Sequence, residues 1–179
     1  MTTTSFRQYD DATDALNFPY EYNNKETASL NKAANSNAQI DIHLLRRIAL
    51  WKLDRVLDVP SETIKKLQSV ATDPDLRVDS AETRSLIEEL LECQGIGLPM
   101  ASTILKFLRP DVFPIIDVRA WRAMYGKKGY FNQASVKQNI DHYLTYASRV
   151  RSIAEQTNRP LREIDEQLYC FDIKYNGTI

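Results

Sequence analysis

Residues 90–126 read LLECQGIGLPMASTILKFLRPDVFPIIDVRAWRAMYG and carry the most specific pattern in the chain. An apolar helix runs into the turn Gly95-Ile96-Gly97, and a second apolar helix follows with a proline in its first turn. Proline is tolerated there because the N–H that it lacks would have no helical partner. Asp117 then begins a further helix, which Gly126 can terminate. The stretch therefore predicts three helices joined by one tight turn and one loop.

Helical spacing of apolar residues continues on both sides of this stretch. The residues expected to open these flanking helices are Asp41, Ser61, Ser80, Gln133 and Pro160, and the helix from about Gln133 extends to Gln156. Asp41, Ser61 and Ser80 are expected as N-caps because their side-chain oxygens can accept from first-turn N–H groups. The sequence contains no strand pattern and no internal repeat. We predict an all-α fold, a helical bundle that contains a helix-hairpin-helix motif.

Residues 1–38 differ from the rest of the chain in composition, because Thr, Ser, Asn, Asp and Ala dominate them. We expect an N-terminal arm over residues 1–38 that is irregular or partly helical, followed by a helical domain over residues 39–179. A chain of 179 residues is long enough for one domain with a substantial core and such an arm.

The composition excludes several classes of protein. A formal net charge of −1 argues against a purely electrostatic coat for DNA, so any DNA affinity has to come from a local patch. Two cysteines are too few for a disulfide framework or for the four thiolates of an iron–sulfur cluster, and the two histidines lie far apart. We therefore predict no metal site and no cofactor. Without a run of about 18 apolar residues or a signal-peptide pattern, we expect no membrane partner and a cytoplasmic location, on the nucleoid in a prokaryote.

The turn Gly95-Ile96-Gly97 has the features of an anion-binding hairpin. Its glycines can adopt backbone angles that other residues rarely take, and Ile96 between them can pack into the core. Amides at the start of the next helix, including those of Leu98 and Met100, then face outward beside the positive end of the helix dipole, where a DNA phosphate can bind. The alternative is an ordinary helix–helix turn, because glycine often ends helices.

The same region is locally basic within a slightly acidic chain. Its charged side chains between residues 93 and 130 are Lys106, Arg109, Arg119, Arg122, Lys127 and Lys128, against Asp111 and Asp117. We assign Arg119, Arg122 and Lys127 to the DNA backbone, because cations beside phosphate-binding amides suit sequence-independent binding. The alternative is a solvated charged face.

Residues 90–126 resemble the core of the helix-hairpin-helix DNA glycosylase superfamily, which includes endonuclease III and the adenine and alkylpurine glycosylases. That core has a Gly-apolar-Gly-x-x-x-Ala hairpin, a loop that delivers an aspartate, and a basic residue on the following helix. The corresponding residues here are Gly95-Ile96-Gly97, Ala101, Asp117, and Arg119 or Arg122. A looser helical correspondence extends over residues 39–179, which the resemblance identifies as a glycosylase-like helical domain.

The chain departs from the bifunctional members of that superfamily at one position. Their lysine lies two residues after the second glycine, where this chain has Pro99, and the nearest lysine on that helix is Lys106. The cluster-binding cysteines of several relatives are also missing. The resemblance therefore implies a monofunctional DNA glycosylase of base-excision repair, a hydrolase with Asp117 as its catalytic residue and duplex DNA with a flipped base as its partner.

Asp117 has a second interpretation, because aspartate at the start of a helix is a common N-cap. Base recognition would need aromatic surface, for which Trp51, Trp121, Tyr125 and Tyr130 are candidates by residue type. Trp51 lies on an apolar helix and fits the core, whereas Trp121 is either a pocket floor or plain packing. Two other functions stay open: a non-catalytic DNA-binding or lesion-sensing protein on the same scaffold, and a helical protein-interaction module without DNA.

Overall fold

The structure is a computed structural model that describes Arg7, Pro19 and residues 24–35, 40–127 and 135–178. Within these ranges all regular structure is α-helical apart from one isolated bridge between Asp58 and Gln94, which confirms the all-α prediction. No helix in these ranges is both long and apolar enough to cross a membrane. Among the features expected from the sequence, Lys128, Tyr130, Gln133 and most of the arm over residues 1–38 lie outside the described residues.

The chain divides into two compact units, Met1–Val56 and Leu57–Ile179. The first unit contains helix α1 (Asn24–Asn35) and helix α2 (Ile42–Lys52). Helix α2 packs against α1 within this unit.

Two side chains of α2 bind α1 within the first unit. The Arg47 guanidinium donates to both carboxylate oxygens of Glu26, at 2.9 and 3.0 Å, and to Ser29 Oγ at 2.8 Å. The indole N–H of Trp51 donates to Thr27 Oγ1 at 2.9 Å. The polar edge of Trp51 is therefore used to hold this helix pair together.

The second unit supplies six helices among the described residues. They are α3 (Ser61–Thr72), α4 (Ala81–Glu92), α5 (Leu98–Leu108), α6 (Val118–Tyr125), α7 (Val136–Thr157) and α8 (Leu161–Asn176). Helices α4 and α5 are the pair expected on either side of the glycine turn. Helix α6 packs along α8, and α7 contacts both α4 and α8.

Local capping explains where several helices begin. Asp41 and Ser80 accept first-turn backbone N–H groups at 2.8 and 3.1 Å, as the sequence predicted. The prediction of Ser61 as an N-cap is wrong, because Ser61 is the first helical residue and Pro60 is the N-cap. Pro60 has φ −59° and ψ 146°, the extended backbone that a cap requires, and its carbonyl accepts from the Ile64 N–H at 3.1 Å.

The core of the second unit is continuous through α4, α5, α7 and the segment that joins α5 to α6. Its largest fully buried side chains include Leu90, Leu98, Leu105, Phe113, Ile116, Tyr143, Tyr146 and Val150. Each aliphatic or phenylalanine side chain of this kind contributes roughly 1.5–3 kcal/mol through its burial. The joining segment is therefore part of the core, and its position is set by packing on both sides.

A buried carboxylate on α8 joins α6 to α8. Asp172 has a side chain that is 0% exposed, and it accepts two hydrogen bonds of 2.7 Å from Arg122 and one of 3.1 Å from Arg119. The same guanidiniums also donate to the carbonyls of Gly177 and Thr178. The hydrogen bonds from Arg122 are the largest reason why the pKa of Asp172 lies well below its usual range.

Replacing Asp172 with Asn should lower the free energy of unfolding at neutral pH, since both arginines lose their counter-charge. A carboxyl whose pKa is lowered by folding contributes stability above its unfolded pKa of about 3.9, and the contribution is lost as pH falls through the lower, folded pKa. In urea unfolding, the difference between wild type and D172N should be full at pH 7 and should shrink below about pH 4.

Asp79→Asn is the matched control, because Asp79 pairs with Arg77 at 3.1 Å on the surface, where both side chains are more than half exposed. An exposed pair contributes little, so D79N should unfold almost like the wild type. A D172N difference that is unchanged between pH 7 and pH 3 would contradict the assigned role of Asp172.

Candidate functional site

A tight turn joins α4 to α5. The Ile96 N–H donates to the carbonyl of Cys93, the C-cap of α4, at 3.2 Å. Gly95 has φ +81°, a left-handed angle that a type II turn requires at its third residue and that favours glycine. The Ile96 side chain is 5% exposed and packs in the core, as the sequence predicted.

The second glycine has a different role from the first. Gly97 is the N-cap of α5, with φ −94° and ψ 174°, angles that any residue adopts. The expectation of a special backbone conformation is therefore wrong for Gly97, because this position starts a helix and does not reverse the chain. Its carbonyl accepts from the Ala101 N–H at 2.9 Å, and Ala101 is fully buried.

The N-terminus of α5 presents backbone amides that no helical carbonyl can reach. No side chain caps this helix, Pro99 has no N–H, and the amides of Leu98 and Met100 lie in its first turn. The Leu98 side chain is buried, whereas Met100 is 38% exposed. Such a helix end favours an anion through its N–H groups and its dipole.

Two buried side chains bind the amides of the segment between α5 and α6. The Ile116 N–H donates to Ser102 Oγ at 3.1 Å, and the Ser102 hydroxyl donates to the Pro99 carbonyl at 2.9 Å. The Ile115 N–H donates to Asp165 Oδ2 at 2.9 Å. Ser102 therefore ties this segment directly to the first turn of α5.

Two tyrosines of α7 bind carbonyls of the same segment. The Tyr143 hydroxyl donates to the Pro114 carbonyl at 3.1 Å, and the Tyr146 hydroxyl donates to the Ile115 carbonyl at 2.8 Å. Burial raises the pKa of both hydroxyls, and the nearby charge of Asp165 adds to the rise. Both hydroxyls therefore stay protonated and remain donors.

Asp165 helps to position the segment before Asp117, and the sequence did not mark it for this role. Its side chain is 3% exposed, and its Oδ1 has no hydrogen-bond partner within the described part of the chain. Burial raises its pKa, and the hydrogen bond from Ile115 opposes that rise. An aspartate beside Glu166 on an amphipathic helix has the pattern of a solvated residue, and no sequence signal marks it as buried.

Asp117 is the N-cap of α6. Its Oδ1 accepts from the Ala120 N–H at 2.6 Å, and the helix ends at Gly126 in the left-handed conformation, both as predicted. The Asp117 side chain is half-buried, and within the described ranges it makes no other hydrogen bond and no ion pair. Its second carboxylate oxygen, Oδ2, therefore has no hydrogen-bond donor among the described residues.

Aromatic rings cluster beside Asp117. The Trp121 ring lies 4.2 Å from Tyr125, 6.4 Å from Tyr146 and 6.3 Å from His142, measured between centroids. The charge of Asp117 contributes to the raised pKa of Tyr146, so these two groups are also neighbours. The structure thus brings together three residues that the sequence proposed for the site: Asp117, Trp121 and Tyr125.

His142, Tyr146 and Arg149 of α7 complete this face, and the sequence analysis did not assign them. Their spacing of four and then three residues places them on one side of α7. Tyr146 is buried, whereas His142 and Arg149 are exposed. The helical spacing could have grouped the three residues, but it could not have shown that they face α6.

Other proposed site residues lie elsewhere. Arg119 and Arg122 point to Asp172 on α8, with side chains only 18% and 14% exposed, so their guanidiniums do not project as free phosphate ligands. Lys127 is exposed after the end of α6. Trp51 belongs to the first unit, where its indole binds Thr27.

No cluster of three or more His, Cys, Asp or Glu side chains that could hold a metal ion occurs within the described residues. In comparisons with known proteins, no family model, no curated protein and no solved structure matches the chain.

The hairpin glycines should respond differently to alanine. Gly95→Ala should cost about 1–2 kcal/mol of unfolding free energy, because a side chain is strained at a left-handed angle. Gly97→Ala should cost less, because its φ of −94° is open to any residue. Urea unfolding of both variants measures the contrast, and a larger loss for G97A would contradict the assignment of the turn to Gly95.

Proposed function

We propose that this chain is a monofunctional DNA glycosylase that excises a damaged or modified base. The observation that carries the proposal is the position of Asp117. Its carboxylate stands at the start of α6 on a segment that Ser102 ties to the first turn of α5, the helix that follows the glycine hairpin. In this proposal, the start of α5 binds a phosphate of one DNA strand, and the Asp117 carboxylate approaches a sugar of the same strand.

The chemistry follows from what glycosidic hydrolysis demands. The base leaves the stack, and the bond between C1′ and the base nitrogen breaks through a sugar with cationic character. The electron pair of that bond leaves with the base, and a water oxygen adds to C1′. The free oxygen of Asp117 stabilises the cation and can accept the proton of the attacking water. The half-buried position of Asp117 strengthens this electrostatic interaction compared with bulk water.

The same geometry favours hydrolysis over a lyase reaction. A lyase of this kind needs an amine as nucleophile, and the corresponding position holds Pro99 in the first turn of α5. Lys106 lies on the same helix, but its amine pairs with Glu166 at 2.7 Å and its side chain is 12% exposed. A paired ammonium is a poor nucleophile.

A non-catalytic DNA-binding protein on the same scaffold is the second candidate. Two observations favour it: Asp117 already has a structural role as the cap of α6, and two arginines of α6 are engaged by Asp172. Both candidates use the hairpin amides, but only the glycosylase requires Asp117 for its output.

The glycosylase proposal predicts base loss that depends on Asp117. The protein is incubated with duplexes that carry alkylated, deaminated, oxidised or hypermodified bases, and abasic sites are then cleaved with hot alkali. Strand breaks should appear only after alkali, and Asp117→Asn should slow base release by about 10²–10⁴-fold. Asn caps a helix nearly as well as Asp, so D117N should remain folded in thermal unfolding.

Asp41→Asn is the matched control, because it makes the same change at the N-cap of α2 in the first unit. It should leave base release unchanged. Breaks without alkali would indicate lyase chemistry and would contradict the role assigned to Pro99. Intact duplex DNA in every case, with DNA binding retained, would replace the glycosylase with the second candidate.

A further inference from the structure

The ion pairs with Asp172 occupy two arginines of α6. Rotating Arg119 and Arg122 toward solvent would leave the Asp172 carboxylate buried without a counter-charge, which costs free energy. Arg149 differs from both, because it is exposed on α7 and makes no hydrogen bond or ion pair with any described residue. Its charge is close enough to Tyr125 to oppose the rise in the pKa of that hydroxyl.

Arg149 shares one side of α7 with two aromatic side chains, Tyr146 three residues before it and His142 seven residues before it. Tyr125 is half-buried and lies against Trp121, and His142 approaches the same indole from its position seven residues before Arg149 on α7. Asp141, which precedes His142 in sequence, turns to Arg84 on α4 at 2.8 Å. The carboxylate of Asp141 is therefore neutralised by a cation of its own.

An exposed guanidinium on the same surface as aromatic rings is the combination by which proteins hold single-stranded nucleic acid. The cation attracts the phosphate, and each ring can stack with any of the bases because every base has a π-face. We infer that the α6–α7 face formed by Tyr125, His142 and Arg149 binds an unstacked nucleotide of the DNA strand, with Arg149 on its phosphate and the rings against its base. This inference rests on the proposed function, because it names the surface that receives the strand beside Asp117.

Trp121 provides the probe for this face. The chain has two tryptophans, and Trp51→Phe removes the one in the first unit, so that Trp121 becomes the only tryptophan fluorophore. The W51F protein is titrated with a short single-stranded oligodeoxynucleotide at several salt concentrations, and the quenching of Trp121 reports binding. A second oligodeoxynucleotide carries abasic analogues in place of its bases.

Arg149→Gln in this background should weaken binding of both oligodeoxynucleotides and reduce the slope of log affinity against log salt by about 0.7, the value for one phosphate contact on a single strand. His142→Ala should weaken binding of the oligodeoxynucleotide with bases about fivefold or more, because a stacking partner is lost, and should leave the abasic one unaffected. Arg162→Gln is the matched control, because Arg162 is exposed at the start of α8 without an ion pair to described residues. It should leave the slope unchanged.

The outcomes separate this inference from the proposed function. If R149Q keeps the wild-type slope while base release still depends on Asp117, the inference is wrong and the glycosylase stands. If R149Q and R162Q reduce the slope equally, the binding is diffuse and the assigned face is also wrong. If the wild type binds neither oligodeoxynucleotide nor duplex DNA, the inference and the proposed function fall together.

Discussion

The geometry of the candidate site depends on one buried hydroxyl. Ser102 is 1% exposed, accepts from the Ile116 N–H and donates to the Pro99 carbonyl. Through these two bonds it holds the segment before α6 against the first turn of α5, and Asp117 follows directly after Ile116. A buried hydroxyl that both donates and accepts leaves none of these polar groups unsatisfied, which is the condition for such a link within a core.

Three further side chains hold the segment before Asp117, and one of them is Tyr143, whose hydroxyl donates to the Pro114 carbonyl. Asp165 binds the Ile115 amide, and Tyr146 binds the carbonyl of the same residue. This arrangement buries the Asp165 carboxyl and leaves its Oδ1 without a hydrogen-bond partner among the described residues. A carboxylate that stabilises a short-lived sugar cation has to be held in place. A mobile carboxylate would have to reorient during the reaction, and the free energy of that reorientation would reduce the stabilisation.

The two arginines of α6 form ion pairs within the fold, so they are not available to a ligand. Arg119 and Arg122 appear in the sequence as two cations after a hairpin, and such residues often contact phosphate. In the structure both arginines pair with the buried carboxylate of Asp172. Leaving that carboxylate unpaired would cost more free energy than the arginines would gain by being solvated. This leaves Arg149 on α7 as an exposed cation beside the aromatic rings near Asp117.

The all-α class, the N-caps at Asp41, Ser80 and Asp117, and the burial of Ile96 could all be predicted, because helical period and capping are local properties of the chain. The N-cap at Pro60 could not, because proline offers no side-chain acceptor and acts through its fixed backbone angle.

Local patterns in the sequence were enough to predict the helices, the glycine turn and the start of α6 at Asp117. The contacts between helices had to come from the packed structure. They are the bonds of Asp165 and Ser102 to the segment before Asp117, the position of His142 and Arg149 on α7, and the pairing of Asp172 with the arginines. The physical reason is separation along the chain. Asp172 lies fifty residues beyond Arg122, and pairing across such a distance is set by helix packing, which leaves no trace in local periodicity.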